Sequence, residues 1–587
     1  MNKLKNIVII LFFITIVQGC KPEEIDLPHD IYETTDLEYA LNQNILSIQC
    51  LVRLQEEDKY IASLQLTGKN VALLWAEDPE PLVIVQGCGK DSVRIPNISI
   101  APLQTDYYWK LGNEYLLDAN GDKIKVTNEN LTPSFKYVDS HWLCMVDGKT
   151  SDVDDKDLTE VFTTVSNNND CTVITFPSHY QLTIPLSTYQ APKVPLQAFY
   201  KDVFLDAGIG LTSRKKLAAA RHLGLSLECI SFPRSNATME DSIMQNDIIK
   251  GNDDDRNGCL LYPDGQPRYK LLFVNGGSSR SHGNSLDYEA RQNMRLFVLN
   301  GGSYVGTCAG AFFATKGYDD QVDYPYYLSL WPSTMNHTGI TNDSTGMFIE
   351  SDSPLLDYYN FGGDYYVSDV RHNKGGYPVN LTSGTEVHAR YDYPEKADVH
   401  QQPCLWSYKA SQQTGRVVME GSHPEEVKDG ERMELTAAMM LYAMDGVGNT
   451  TIKGFLQNGI TRMMDCGSEA NRPNHARLGD LQCHHFAVMI PEGAKNISVC
   501  VNSQTTGDFS ISMSRFTFAY PDNAEFVSYR TGSHPTLYFS TLEPGIWYVC
   551  VQCRTTVTAV STDYGQAYSD PVGVLNGLPY TITARWE

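Results

Sequence analysis

"GGSYVGTCAGAFFAT", Gly301 to Thr315, sets one cysteine, Cys308, between Gly306 and Gly310, after a strand-like run and before a helix-like one. The pattern G-x-C-x-G is the sequence form of a nucleophile elbow, a strand that turns at once into a helix. Two backbones come close at such a turn, so only glycine fits on both sides. The turn presents the nucleophile's side chain, and the amide of the following residue, Ala309, points where an oxyanion would form. The dipole of the helix that follows favours a thiolate at that place.

Upstream, "YKLLFVNGG" reads as an apolar strand ending in Gly276-Gly277, and Gly277 is the expected second oxyanion donor. Downstream, "GRVVMEGSHPE" is a strand and its exit, with His423 as candidate base. In an extended segment residues i and i+2 face the same way. Glu425 is therefore expected beside the His423 ring, with Pro424 fixing the backbone between them. Around these motifs, "DVFLDAG" and "LSLECISF" read as strands and "TSRKKLAAARHLG" and "LDYEARQNMRLFVLNGG" as helices. Strands alternating with helices over residues 191–448 predict a doubly wound, flavodoxin-like α/β domain with its site at the carboxyl ends of parallel strands. The helix "ERMELTAAMMLYAMDG" puts Met433, Ala437, Met440 and Met444 on one face, which is core packing and not a ligand box.

An elbow cysteine in "GTCAGA", an upstream "NGG" and a late "HPE" together resemble the class I glutamine amidotransferase-like superfamily. Within it, "GGSYVGTCAGAFFAT" and "GRVVMEGSHPE" resemble the domain named after the N-terminal part of biotin-protein ligase. The resemblance covers residues 198–446, and it implies Cys308 as nucleophile, His423 as base and Glu425 as its partner. No synthetase or ligase domain follows, so neither ammonia transfer nor biotin transfer is implied. The related peptidases carry histidine directly after the cysteine; here Ala309 stands there, which argues against proteolysis. The expected reaction is hydrolysis of a small-molecule or peptide-like amide or ester by acyl transfer, without a cofactor or a metal. The alternative is a catalytically silent surface binding or display protein that keeps the α/β domain as a scaffold. The complete set Cys308, His423 and Glu425 favours the enzyme, and the large share of chain outside it favours the scaffold.

The chain begins with Lys3 and Lys5, an apolar run from Ile7 to Val17, and then "VQGC". The run is short for a bilayer span, and the pattern is that of a processed signal. It resembles the lipobox of bacterial lipoproteins, which implies acylation at Cys20, residues 21–33 as a tether, and an outer-membrane, cell-envelope location that includes the surface. At 587 residues several domains are expected. The net charge of −24 repels phosphate backbones and excludes nucleic acid as a partner.

Residues 34–190 read as a helix over 36–64, with Leu37, Leu41, Ile45, Ile48 and Val52 at helical spacing, followed by a β-rich module. Residues 449–479 read as a polar linker. From 480 to 587 alternation and Gly/Pro turns predict a separable β-sandwich; "LEPGIWYVCV" and "PYTITARW" there resemble the prepeptidase C-terminal domain, an accessory module. In "CVQC", Cys550 and Cys553 are three apart on a strand and face opposite ways, so no metal or redox site is expected there, nor at "CHH", Cys483 to His485. "SSRSHGNS", with Arg280 and His282, is read as loop surface near the site.

Overall fold

The computed structural model describes residues 34–67, 70–75, 78–86, 94–168, 170–197, 199–212, 217–252, 256–528, 530–569 and 572–587. The signal segment with Cys20, the tether, Cys88 and the acidic run Asp253 to Asp255 lie outside them. The protein is multidomain and β-rich, and it divides into two units between Gln190 and Ala191. Among the described residues no helix is long and apolar enough to cross a membrane.

The first unit is built on the helix Thr34–Glu56, which buries Leu37, Leu41, Ile45, Ile48 and Val52 as the spacing requires. Buried Asn44 fixes it by donating to the Val85 carbonyl (2.9 Å) and accepting from the Val85 N–H (2.8 Å). The helix stops short of residue 64. Asp58 turns the chain at φ 56°, and Ile61–Thr67 is already a strand. Small antiparallel sheets of two or three strands make up the rest.

In the second unit an eleven-stranded sheet carries the site. Its middle is parallel, in the spatial order Val417–Glu420, Ser303–Thr307, Tyr269–Val274, Lys201–Ala207, Leu227–Ser231. Alternation splits these strands between two cores. Phe204, Leu272, Val274 and Tyr304 pack with Ile249, Met294 and Phe297 of the helices Met239–Lys250 and Tyr288–Leu299. Val203, Leu205, Leu271, Phe273 and Val305 pack with Ala219, Met433, Ala437 and Met440, the last three on the helix Glu431–Met444. The methionine stripe is core.

The doubly wound α/β domain expected over 191–448 is not what this region forms as a whole. Strand outweighs helix, and the sheet runs on through antiparallel strands at both ends. Pro403–Tyr408 and three further strands extend one side, and the hairpin Thr558–Thr562/Gly565–Ser569 extends the other.

The stretch read as a linker, 449–479, holds strands. Ile452–Leu456 joins a five-stranded sheet and Thr461–Met464 a four-stranded one, and the two sheets face each other across Phe486, Val488, Ile497, Val499 and Ile582. Its polar residues misled because they are buried with partners. Lys453 reaches Asp264 at 2.6 Å, and Arg462 donates to the Lys453 and Asn474 carbonyls. The sandwich core is also continuous with one face of the parallel strands. Arg268 and Asp480, both buried, pair at 2.9 Å between them.

Candidate active site

The strand Ser303–Thr307 ends at Cys308 and the helix Ala309–Ala314 begins directly after it. Cys308 sits at φ 45°, ψ −101°. That is strained backbone for a residue with a side chain, costing on the order of 1–3 kcal/mol. Neighbouring glycines make the turn sterically feasible. A Cβ on Gly306 would collide with the Gly310 backbone, and one on Gly310 with the Val274 carbonyl. Hydrogen bonds clamp the turn: the Cys308 N–H donates to the Glu420 carbonyl at 2.8 Å, and the Phe312 N–H to the Cys308 carbonyl at 3.1 Å.

His423 and Glu425 come to the same place. Cys308 lies close enough to the His423 ring to act on its proton, and His423 Nδ1 lies 3.2 Å from Glu425 Oε1. All three are buried, Cys308 with only 4% of its surface exposed. Burial works against the imidazolium, but the charges and hydrogen bonds of Cys308 and Glu425 outweigh it and push His423 up to about 11. Glu425 reaches the ring by a different route from the one the sequence suggests. Pro424–Glu426 is a turn of 3-10 helix, and it folds Glu425 back under His423.

Gly276, not Gly277, abuts the histidine. A Cβ on Gly276 would stand 2.5 Å from His423 Nδ1 and closer still to Cε1. Gly277, at φ 144°, is packed against Gly210 and Leu211. Ala309 is the first residue of its helix, where backbone N–H groups lack intrahelical acceptors.

Three neighbours escaped sequence reasoning. Glu420 ends the strand beside Cys308 and is fully buried. Burial, then the charge of Glu425, push its carboxyl up to about 8, against the Ser422 N–H that donates to it at 2.7 Å. His372 bridges Ser422 Oγ (2.9 Å) and Thr338 Oγ1 (2.6 Å); burial, then the charge of His423, push it down to about 4. The Asn373 carbonyl lies 3.8 Å from Cys308 Sγ, so the chain after the strand Tyr366–His372 passes over the thiol. Only their burial distinguishes these residues, and burial is set by strands far away in the chain.

His282 is not loop surface. It lies in the helix Ser279–Ser285, fully buried, with Nε2 2.9 Å from Asp206 Oδ2 and Nδ1 3.1 Å from the Ile209 carbonyl. His388, on the strand Thr385–Asp392, is also buried, with its Nε2 2.8 Å from Ser407 Oγ. Cavities of about 480 Å³, lined by Asn257, Asp264 and Asn471, and about 560 Å³, lined by Glu228, Arg268 and Tyr568, lie apart from Cys308.

The family model described as "Biotin-protein ligase, N terminal" matches residues 263–325, a span that holds Gly276, Gly277 and Cys308 but neither His423 nor Glu425. No curated protein matches the chain. Solved structures similar to it include the pre-peptidase C-terminal domain of a collagenase from Bacillus anthracis, 15% identical, covering 22% of this chain and 90% of that one, with a TM-score of 0.14. They also include a ThuA-like protein from Parabacteroides merdae, 13% identical, covering 47% of this chain and 99% of that one, with a TM-score of 0.25.

Proposed function

We propose that the protein is a cysteine-dependent hydrolase of an amide or ester, built on a glutamine amidotransferase-like core and held at the cell envelope by acylation at Cys20. The observation that carries the reading is the strained turn at Cys308, beside a histidine that Glu425 holds in place. Strain at a residue of this kind is kept where the surrounding structure over-determines it, and it clusters at active sites.

The chemistry follows from that arrangement. The Cys308 sulfur attacks the substrate carbonyl carbon, and the carbon–oxygen π pair moves onto oxygen, where the Ala309 amide is the nearest helix-end donor. His423, held as the imidazolium, gives its proton to the leaving nitrogen or oxygen as that bond breaks. Water then attacks the thioester while neutral His423 takes its proton, and Cys308 leaves as thiolate. Glu425 keeps Nδ1 engaged so that the other ring nitrogen faces the sulfur. The residues that would choose a substrate lie in the chain passing over Cys308.

A panel of small amide- and ester-derived electrophiles, followed by peptide mapping, tests this reading. Labelling is expected at Cys308, to be abolished in Cys308→Ser and slowed by orders of magnitude in His423→Ala. Equal labelling of Cys308 in wild type and His423→Ala rejects the triad.

One observation favours the scaffold reading. Cys308 is 4% exposed beneath the Asn373 carbonyl, which leaves little room for an acyl group. Under that reading no electrophile labels Cys308 until the protein unfolds.

A further inference from the structure

A second cluster of reactive side chains lies inside the C-terminal sandwich, far along the chain from the triad. Cys483 and His485 are two apart on the strand Cys483–Ile490 and so share a face. On the neighbouring strand Gly545–Cys553, Cys550 stands directly opposite His485. Sequence reasoning weighed Cys550 against Cys553 along one strand and missed the partner across the ladder. The donor atoms of Cys483, His485 and Cys550 all lie within 4.8 Å of one another.

The histidine supplies the independent observation. His485 is 2% exposed, and among the described residues neither of its ring nitrogens has a hydrogen-bond partner. A neutral imidazole carries one donor and one acceptor, and leaving both unmet in a buried site is costly. Beside it stand two aromatic rings, Tyr520 at 4.6 Å and Phe518 at 5.2 Å between ring centroids, both T-shaped. A cation would take the lone pair of one nitrogen, and an aromatic face suits the remaining N–H.

We propose that Cys483, His485 and Cys550 bind one zinc ion as a structural site that ties the two strands together. Thiolate and imidazole are zinc's ligands, whereas calcium and magnesium take oxygen. Charge balance selects a divalent ion. Two thiolates and a neutral imidazole sum with Zn²⁺ to zero, and a buried site tolerates only a neutral sum cheaply. Binding forms two zinc–sulfur bonds and one zinc–nitrogen bond, takes a neutral water as the fourth ligand, and releases the two thiol protons to solvent. Cys553, on the same strand, is turned elsewhere, with its Sγ 3.5 Å from the Thr555 carbonyl, and serves as the internal control.

The experiment uses the full chain, extracted in detergent without chelator. Metal analysis is expected to find about one zinc per chain, lost in Cys483→Ser and Cys550→Ser and kept in Cys553→Ser. A buried substitution can itself unfold the sandwich, so the wild-type protein is also stripped with a chelator under reducing conditions and titrated with cobalt(II). Thiolate-to-cobalt charge-transfer absorption should saturate near about one equivalent and vanish on adding zinc. Thermal stability should fall on stripping and return with metal. A stripped wild type that gives no cobalt–sulfur absorption, copper in place of zinc, or a Cys483–Cys550 disulfide in a non-reduced peptide map overturns the proposal.

Discussion

Replacing Gly276 by alanine tests the histidine without touching any member of the triad. The new Cβ would stand 2.5 Å from His423 Nδ1 and 3.3 Å from Nε2, with Cε1 closer than either. Ordinary carbon contacts begin near 3.5 Å, so the ring must retreat by more than about 1 Å. The glycine cannot yield instead, because its carbonyl accepts from the Thr212 N–H at 2.8 Å at the end of a central strand. The Nδ1–Oε1 separation is already 3.2 Å, so retreat breaks that bond or carries the ring away from Cys308. A misplacement of about 1 Å costs roughly a hundredfold in rate. Losing one charge-assisted hydrogen bond costs roughly 1.5–3 kcal/mol of stability, less than the roughly 5–15 kcal/mol that holds a domain folded. The assay is iodoacetamide alkylation of Cys308 at neutral pH, read by peptide mapping, beside a urea unfolding curve. Gly573→Ala is the control, since its Cβ would meet nothing within 4 Å. A Gly276→Ala protein that folds and alkylates Cys308 within about twofold of wild type refutes the claim that this ring position matters, because the expected effect is about a hundredfold.

Other outcomes follow from the same structure. Burial, then the charge of Glu425, push the Glu420 carboxyl up from 4.5 to about 8 on folding, so the folded state holds the extra proton in between. Its contribution is fully present below about 4.5 and is lost as pH rises toward 8. Glu420→Gln should therefore gain stability over wild type across that window, at up to about 1.4 kcal/mol per pH unit, and parallel urea midpoints from pH 5 to 8 would sink the assignment. A chain ending at residue 450 loses Asp480 from buried Arg268 and Lys453 from buried Asp264, and it uncovers one face of the central sheet. It should lack a cooperative unfolding transition, and a sharp transition with native-like near-UV signal would show that the first part of the unit stands alone. Cys20→Ala should abolish palmitate labelling and leave the protein in the soluble fraction; labelled, membrane-bound Cys20→Ala protein removes the lipid anchor.

What the sequence made legible is whatever sterics write locally. Gly306 and Gly310 announce the elbow because no other residue fits there, and the helical spacing from Leu37 to Val52 announces a buried face. The pairing of His423 with Glu425 was reachable from their two-residue spacing, although a turn and not a strand brings them together. Glu420, His372 and His282 were not legible. Each is a polar residue whose burial is set by tertiary structure: Asp206 partners His282, Thr338 and Ser422 partner His372, and Glu420 lies in the same buried pocket as the Glu425 charge. Lys453 and Arg462 made a pair of strands look like a linker for the same reason. Cross-strand register, which no spacing along one strand reveals, hid the grouping of Cys483 with Cys550.

The hairpin that closes the edge of the central sheet also sets an order of events. The strand Leu227–Ser231 has its outer neighbour in Gly565–Ser569, and the bridge joins Ile230 to Gly565. During synthesis at roughly 5–20 residues per second, that edge waits on the order of tens of seconds for its partner. An open strand edge is a template for pairing with another chain. Until the hairpin arrives, the nascent protein therefore needs a chaperone's cover, and its yield should depend more on what shields Leu227–Ser231 than on how fast the sandwich folds. Variants that weaken the hairpin Thr558–Ser569 would then show their effect first as aggregation of new chains, before any loss of stability in chains that have already folded.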